Sequence, residues 1–231
     1  LVMDVKYGSA AFMRERDEAK ALAKSIVVLS AECGVQCRAL LSDMNTPLGC
    51  SAGNWLEVKE AVACLEGRGP KDLEKITIAC VANLPAGNTE KARTELASGR
   101  PREKLNELLV AQGADLEAFE AKLAEEIAAP ECRELLAGQE GFVSRCDARI
   151  IGELVRDLGG GRQKMNDLIQ SEVGIDRIVK PGEPVEKGTV LARVHAVSNS
   201  TAQIALGRLA EAFEISADLP VSDGLIGEEV S

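Results

Sequence analysis

Aromatic side chains make up only 3% of this 231-residue chain, and histidine occurs once. So few aromatics leave almost no stacking platform for single-stranded nucleic acid, and a formal net charge of −10 without a basic cluster removes the attraction to phosphate backbones. No nucleic-acid partner is expected. With His195 as the one imidazole, nothing suggests a Ser-His-Asp arrangement, and a histidine-rich zinc site has no second ligand. The seven cysteines, at 33, 37, 50, 64, 80, 132 and 146, are odd in number and include no Cys-x-x-Cys pair, which argues against a disulfide framework. No apolar run approaches the roughly 20 residues that span a bilayer, so no membrane partner is expected. The first residues lack the charged and apolar regions of a secretory signal. A reducing, cytoplasmic setting is the expectation. What is present is ordinary: 45% hydrophobic and 28% charged residues, enough chain for a sizeable core, and a length read here as two domains.

Residues 1–6 read as a buried strand, followed by a Gly-Ser-Ala-Ala loop and an amphipathic helix from about Asp17 to Cys33. Ala19, Leu22, Ala23, Ile26 and Val27 follow helical spacing, and Gly34 is a natural stop. A second strand follows, Val35 to Leu41, and strand, helix, strand at this spacing predicts a parallel βαβ unit. Sites in such sheets form outside the carboxyl ends of the strands, where Asp4, Lys6 and the Ser42–Gly49 loop would lie. Asn54 reads as an N-cap with Glu57 three residues on, opening a helix that Gly67 ends. From Lys71 to about Ile127 the pattern is helical in segments, broken by Pro85-Ala86-Gly87-Asn88, by Gly99 and Pro101, and by Gly113.

After Pro130 the character changes. Residues 141–146 read as a strand leading into a helix with Ile150, Ile151, Leu154 and Leu158, and Val173–Val179 and Thr189–His195 read as strands flanking a Pro-Gly turn. A last helix runs from Ala202 to about Phe213, and Asp223–Ser231 is expected to be loose. Gly159-Gly160-Gly161-Arg162 lacks the Lys-Ser/Thr ending of a P-loop and follows a helix instead of opening one, so it reads as a turn. His195 closes an apolar strand and reads as a packed or edge histidine.

Three stretches together resemble the thymidine and pyrimidine-nucleoside phosphorylases. They are Asp4-Val5-Lys6-Tyr7-Gly8 with Phe12 and Met13, the run from Ser42 to Glu60, and Gly159-Gly160-Gly161-Arg162. The resemblance implies an α/β chain: residues 1–135 as part of the family's large mixed-sheet α/β lobe, and residues 136–231 as its small α+β C-terminal domain. It implies a pentosyltransferase of nucleoside salvage. Phosphate, the co-substrate, would displace the base of thymidine, or of uridine or deoxyuridine, from the anomeric carbon, leaving free pyrimidine and a (deoxy)ribose 1-phosphate. No organic cofactor is implied, and the family acts as a homodimer.

By match to the family's Asp-Val-Lys-x-Gly-x-Gly-Ala-Phe-Met pattern, Asp4, Lys6, Phe12 and Met13 would support the substrate pocket, with Phe12 near the pyrimidine ring. Ala10 stands where the family usually has glycine. Without the resemblance, Asp4 and Lys6 read as a structural ion pair at a strand end. Leu48, Ser51 and Glu60 match positions that hold a potassium ion through two backbone carbonyls and a carboxylate, a hard-oxygen shell suited to such a cation. Taken alone, Glu60 reads as a solvated helix residue. The family's phosphate loop and base-binding Arg…Ser…Lys set would precede Leu1. The sequence is therefore expected to be the later part of a longer chain, with no catalytic residue of its own and weak binding of phosphate or nucleoside by itself. Two alternatives stand beside this: a non-catalytic truncated homologue acting as a binding or scaffold protein, and an AMP phosphorylase-type enzyme. The Val179–Leu191 hairpin is similar to those of lipoyl and biotinyl carriers but lacks their lysine setting, so that likeness reads as architectural.

Overall fold

The computed structural model describes residues 1–126, 129–221 and 224–231. Its opening unit is the expected one. Strand β1, Val2–Tyr7, and strand β2, Arg38–Asp43, pair in parallel with Val5 opposite Leu41, and helix α1, Arg16–Glu32, crosses between them. Ala19 and Ala23, one turn apart, are fully buried and let the helix axis approach the sheet, with Ile26 and Val27 beside them. Leu22, expected on the same stripe, faces outward. Gly34 takes a positive φ of 76° as the helix ends, a conformation that costs glycine nothing.

The last strand corrects the sequence reading. Ile226–Val230, expected to be loose, form strand β9 antiparallel to β2, so the first sheet has the order β1-β2-β9. Asp223, the start of that stretch in the sequence reading, lies outside the described residues, as does Ile127, where the helical section was expected to end.

Helix α2, Asn54–Leu65, is followed by four more: α3, Lys71–Ala82; α4, Thr89–Ala97; α5, Arg100–Ala111; and α6, Leu116–Ala124. Their breaks fall at the glycine and proline positions. The Asn88 side chain accepts from the Lys91 amide to cap α4, and Asp115 caps α6. Helix α3 packs on β1.

The later part has two antiparallel sheets. Strands β3, Glu131–Leu136, β7, Val190–Ala196, and β5, Gly174–Asp176, form one with order β3-β7-β5. Strands β6, Pro184–Val185, β4, Gly141–Cys146, and β8, Phe213–Ser216, form the other with order β6-β4-β8. Helices α7, Ala148–Val155, and α8, Asn199–Ala210, close a core containing Val143, Ile151, Leu154, Ile175, Val194 and Leu209. Phe213, placed by its sequence at the end of the last helix, instead begins β8 opposite Cys146. Among the described residues no helix is long and apolar enough to cross a membrane.

Candidate functional site

The stretch between β2 and α2 has almost no regular structure and is held instead by individual polar groups. Glu60 of α2 turns back on it: one carboxylate oxygen accepts from the Cys50 amide at 2.8 Å, and Ser51 bonds the same carboxylate. At Gly49, φ is +73° and a Cβ would lie 2.0 Å from the other Glu60 oxygen, so only glycine fits. The Gly49 amide donates to Asp72 at 3.1 Å. Lys180 reaches over from the later part of the chain, 2.9 Å from that Asp72 oxygen, and donates to the Pro47 carbonyl.

Burial pushes the Glu60 carboxyl above its usual range, and the Cys50 amide, Ser51 and Lys180 only partly counter it. No cation is salt-bridged to Glu60 among the described residues. Nor do the Leu48 and Ser51 carbonyls accept a hydrogen bond there. Burial likewise raises the Cys50 thiol to about 11, which keeps it protonated and excludes it as a nucleophile near neutral pH. Two cavities flank the loop. One of 710 Å³ is lined by Ser51, Glu60, Asp176 and Arg193 among others, and one of 550 Å³ by Asp43, Asp72, Lys180 and Glu183.

The same loop fastens the first half of the chain to the second. Ala52 and Ile175 exchange both backbone hydrogen bonds, at 2.7 and 2.8 Å, and the Ile178 amide donates to the Cys50 carbonyl at 3.0 Å. The Ala148 amide donates to the Asn45 carbonyl at 2.9 Å, and the Trp55 amide to Ser171 at 2.9 Å. Asn54 is therefore not the cap its sequence suggested. Gly53 is the N-cap, with φ 134°, and Glu57 keeps half of the capping arrangement by accepting from the Gly53 amide at 2.9 Å. The Asn54 side chain is free to donate to the Gly160 carbonyl at 2.7 Å. The triple-glycine run, read from sequence as a turn, instead ends a π-helical segment, Arg156–Gly160, that continues α7 and kinks at Gly159 with φ 102°, and the Gly160 carbonyl is where α2 is pinned.

Asp4 and Lys6 pair across β1 at 2.7 Å, and both meet the buried hydroxyl of Ser42 on β2, which donates to Asp4 at 2.5 Å and accepts from Lys6 at 3.0 Å. They line none of the cavities described. Met13 is half-buried against the α1 core, while Phe12 is wholly exposed in a separate cleft. The residues singled out from sequence thus fall in four places: the β1–β2 network, the α1 core that Met13 joins, the Phe12 cleft and the Glu60 loop. Asp72 and Lys180 escaped sequence reading, although Lys180-Pro181-Gly182 stood out as a turn. His195 is packed. It has no exposed surface, and its Nε2 lies 3.1 Å from Asp176, out of line for a hydrogen bond.

Residues 142–216, from the second residue of β4 to the end of β8, match the family model of the pyrimidine nucleoside phosphorylase C-terminal domain. Across nearly the whole chain, the thymidine phosphorylase of Colwellia psychrerythraea is 36% identical over 230 residues, which are 95% of this chain and 52% of that protein. The thymidine phosphorylase of Mesorhizobium japonicum is 36% identical over 96% of this chain and 53% of its own length, and that of Agrobacterium fabrum is 34% identical over 95% and 52%. The chain spans about half the length of the curated relatives it matches. The likeness covers the βαβ unit and the Glu60 loop as well as the two later sheets: nearly the whole chain is similar to about half of a thymidine phosphorylase, and residues 142–216 to the pyrimidine nucleoside phosphorylase C-terminal domain.

Proposed function

We propose that the natural protein containing these residues is a pentosyltransferase that phosphorolyses pyrimidine nucleosides, thymidine first and uridine or deoxyuridine after it. The carrying observation is the 36% identity to thymidine phosphorylases over 95% of the chain. In the reaction the bond from the anomeric carbon to the base nitrogen breaks as a phosphate oxygen bonds that carbon. Catalysis there is mainly positioning and charge stabilisation around an oxocarbenium-like centre. On this reading Asp4, Lys6, Phe12 and Met13 support the pocket. The homodimer that the resemblance implies and the division near residue 135 belong to the same proposal, with β9 returning to the first sheet. The seven free cysteines suit a cytoplasmic setting. With phosphate present, the natural protein is expected to release thymine or uracil from the corresponding nucleoside, and none without it. No base release from any pyrimidine nucleoside would overturn the proposal.

The potassium ion is part of this reading. Among the described residues the Leu48 and Ser51 carbonyls have no donor and the desolvated Glu60 carboxylate has no ion pair, a donor set that suits a monovalent cation. Bound there, such an ion would neutralise Glu60 and brace the loop. A raised folded-state pKa means that Glu60 favours the fold when protonated. This contribution is lost as pH climbs through the carboxylate range toward the folded value. Replacing Glu60 by glutamine is therefore expected to leave Tm unchanged or higher at pH 7 in choline chloride. Wild type should gain Tm when potassium chloride replaces choline chloride at equal ionic strength, and Glu60→Gln should not. Equal potassium response in both proteins sinks the assignment.

A further inference from the structure

The loop between β2 and α2 is fixed one peptide unit at a time, by bonds from both halves of the chain. Lys180 holds the Pro47 carbonyl, Asp72 the Gly49 amide at 3.1 Å, Glu60 the Cys50 amide at 2.8 Å, Ile178 the Cys50 carbonyl at 3.0 Å and Ile175 the Ala52 amide at 2.7 Å. A trans peptide is planar, with its N–H and C=O pointing in opposite directions, so a bond to one end aims the other. The Gly49 amide shares its peptide with the Leu48 carbonyl, and the Ala52 amide shares its peptide with the Ser51 carbonyl. Asp72 therefore aims the first of these carbonyls from behind, and the Ile175 carbonyl aims the second. The Gly49 carbonyl, whose peptide is held by Glu60 itself, is turned away from that carboxylate. Asp72 is fixed in its turn. One of its oxygens accepts from the Leu73 amide at 2.8 Å in the first turn of α3, and the other, which holds Gly49, lies 2.9 Å from the Lys180 Nζ.

We infer that Asp72, locked by Lys180, is a positioning residue of the cation site, aiming the Leu48 carbonyl without touching the ion. The inference rests on the potassium reading of Glu60 and adds to it two side chains that the ion never meets. A pair serving only to dock the two halves needs no bond to the loop: Lys122 of α6 and Glu172 pair across the same halves at 2.9 Å, and neither side chain bonds a loop peptide. Asp72 and Lys180 each bond one, on either side of Leu48. Because the ammonium cancels the carboxylate's charge, the pair supplies direction and little net field. Partners behind the ligands of an ion govern its affinity in this way, by fixing where each donor points. The site is then assembled across the seam, with the carboxylate from α2, the aim of Leu48 from α3 and Lys180, and the aim of Ser51 from β5. A cation is held there only while the halves are docked.

Potassium titrations of Tm on the natural protein containing these residues, with choline chloride holding ionic strength constant, test it. Tm begins to rise once potassium exceeds its dissociation constant, so the onset reads affinity apart from stability. Asp72→Ala leaves the Gly49 amide without its acceptor and should move the onset to about tenfold higher potassium or more. Asp72→Asn keeps an oxygen for that amide and should return the onset close to the wild-type value. Lys122→Met removes the other ion pair between the halves and should leave the onset where it is, whatever it does to Tm. In wild type, hydrogen exchange at the Gly49 amide should already be slow in choline chloride, because Asp72 holds that peptide before any ion arrives. An unmoved onset in Asp72→Ala overturns the inference, as does an equal shift in Lys122→Met. It falls too if Asp72→Asn behaves as Asp72→Ala, which would make the carboxylate's charge the cause, or if the Gly49 amide is protected only with potassium. These results leave Glu60 as the ion's carboxylate; a wild type with no potassium response overturns both readings.

Discussion

Replacing Arg193 by methionine is expected to destabilise the fold by about 3–5 kcal/mol at pH 7, the range for breaking a buried ion pair from one side. Arg193 lies on β7, where every neighbour is buried, and its guanidinium holds Asp176 of β5 through two bonds of 2.8 and 2.6 Å. Burial alone would raise the Asp176 carboxyl. The Arg193 bonds and the adjacent His195 outweigh that burial and hold the carboxyl down to about 2. Methionine fills similar space but leaves the carboxylate buried beside a neutral side chain. Because the folded-state pKa is depressed, the stabilisation is complete above the ordinary aspartate range near pH 4 and disappears as pH falls through about 2; integrated, it is worth about 2 kcal/mol. Urea unfolding should therefore show the deficit of Arg193→Met shrinking between pH 7 and pH 2.5. A deficit of equal size at both values would mean that lost packing, not charge, is what the arginine supplies.

How much of this could be read in advance depended on whether the cause was local. The βαβ unit was legible because α1 carries its own apolar stripe and ends at Gly34, and the breaks between α3, α4 and α5 fall on Asn88 and Gly99. Strand β9 was not. Its Gly227-Glu228-Glu229 sequence looks too polar to order, but Glu228 meets Lys20 and Arg16 of α1, and Glu229 meets Arg38 of β2. Strand β3 hides its alternation behind Glu131, Arg133 and Glu134 because it lies at the edge of its sheet, against β7. At the site, family-like spacing pointed to Glu60 and to the loop before it. It carried no trace of Lys180, which joins Asp72 only after the two halves of the chain have docked. Asn54 misled because a good capping residue and a good cross-chain donor have the same side chain. The choice between them was made by Gly160, far away in sequence.

Gly174→Ala is expected to undo that docking at a cost of about 3 kcal/mol, from steric overlap together with the strain of a positive φ on a residue with a Cβ. Gly174 has φ +154°, and a Cβ there would lie 2.4 Å from the Ala52 carbonyl oxygen and 3.0 Å from the Gly53 Cα. Gly53 mirrors it: with φ +134°, its Cβ would meet the Val173 carbonyl at 2.6 Å and the Gly174 Cα at 2.9 Å. The two glycines thus face each other beside the Ala52–Ile175 pair, and the atoms in the way are largely backbone, which cannot swing aside as a side-chain end can. Gly34→Ala is the matched control, because Gly34 also has a positive φ, +76°, but has nothing within 4 Å of its would-be Cβ. It should cost only about 1 kcal/mol. Hydrogen exchange locates the damage: in Gly174→Ala the amides of Ala52, Ile175 and Ile178 should lose protection before those of β1 and β2. Equal losses in the two variants would show that backbone strain alone acts and that the close approach is incidental. Because the Ile178 amide holds the Cys50 carbonyl while the Cys50 amide holds Glu60, opening this seam also loosens the carboxylate's seat. The potassium response of Tm should therefore fade in Gly174→Ala and persist in Gly34→Ala.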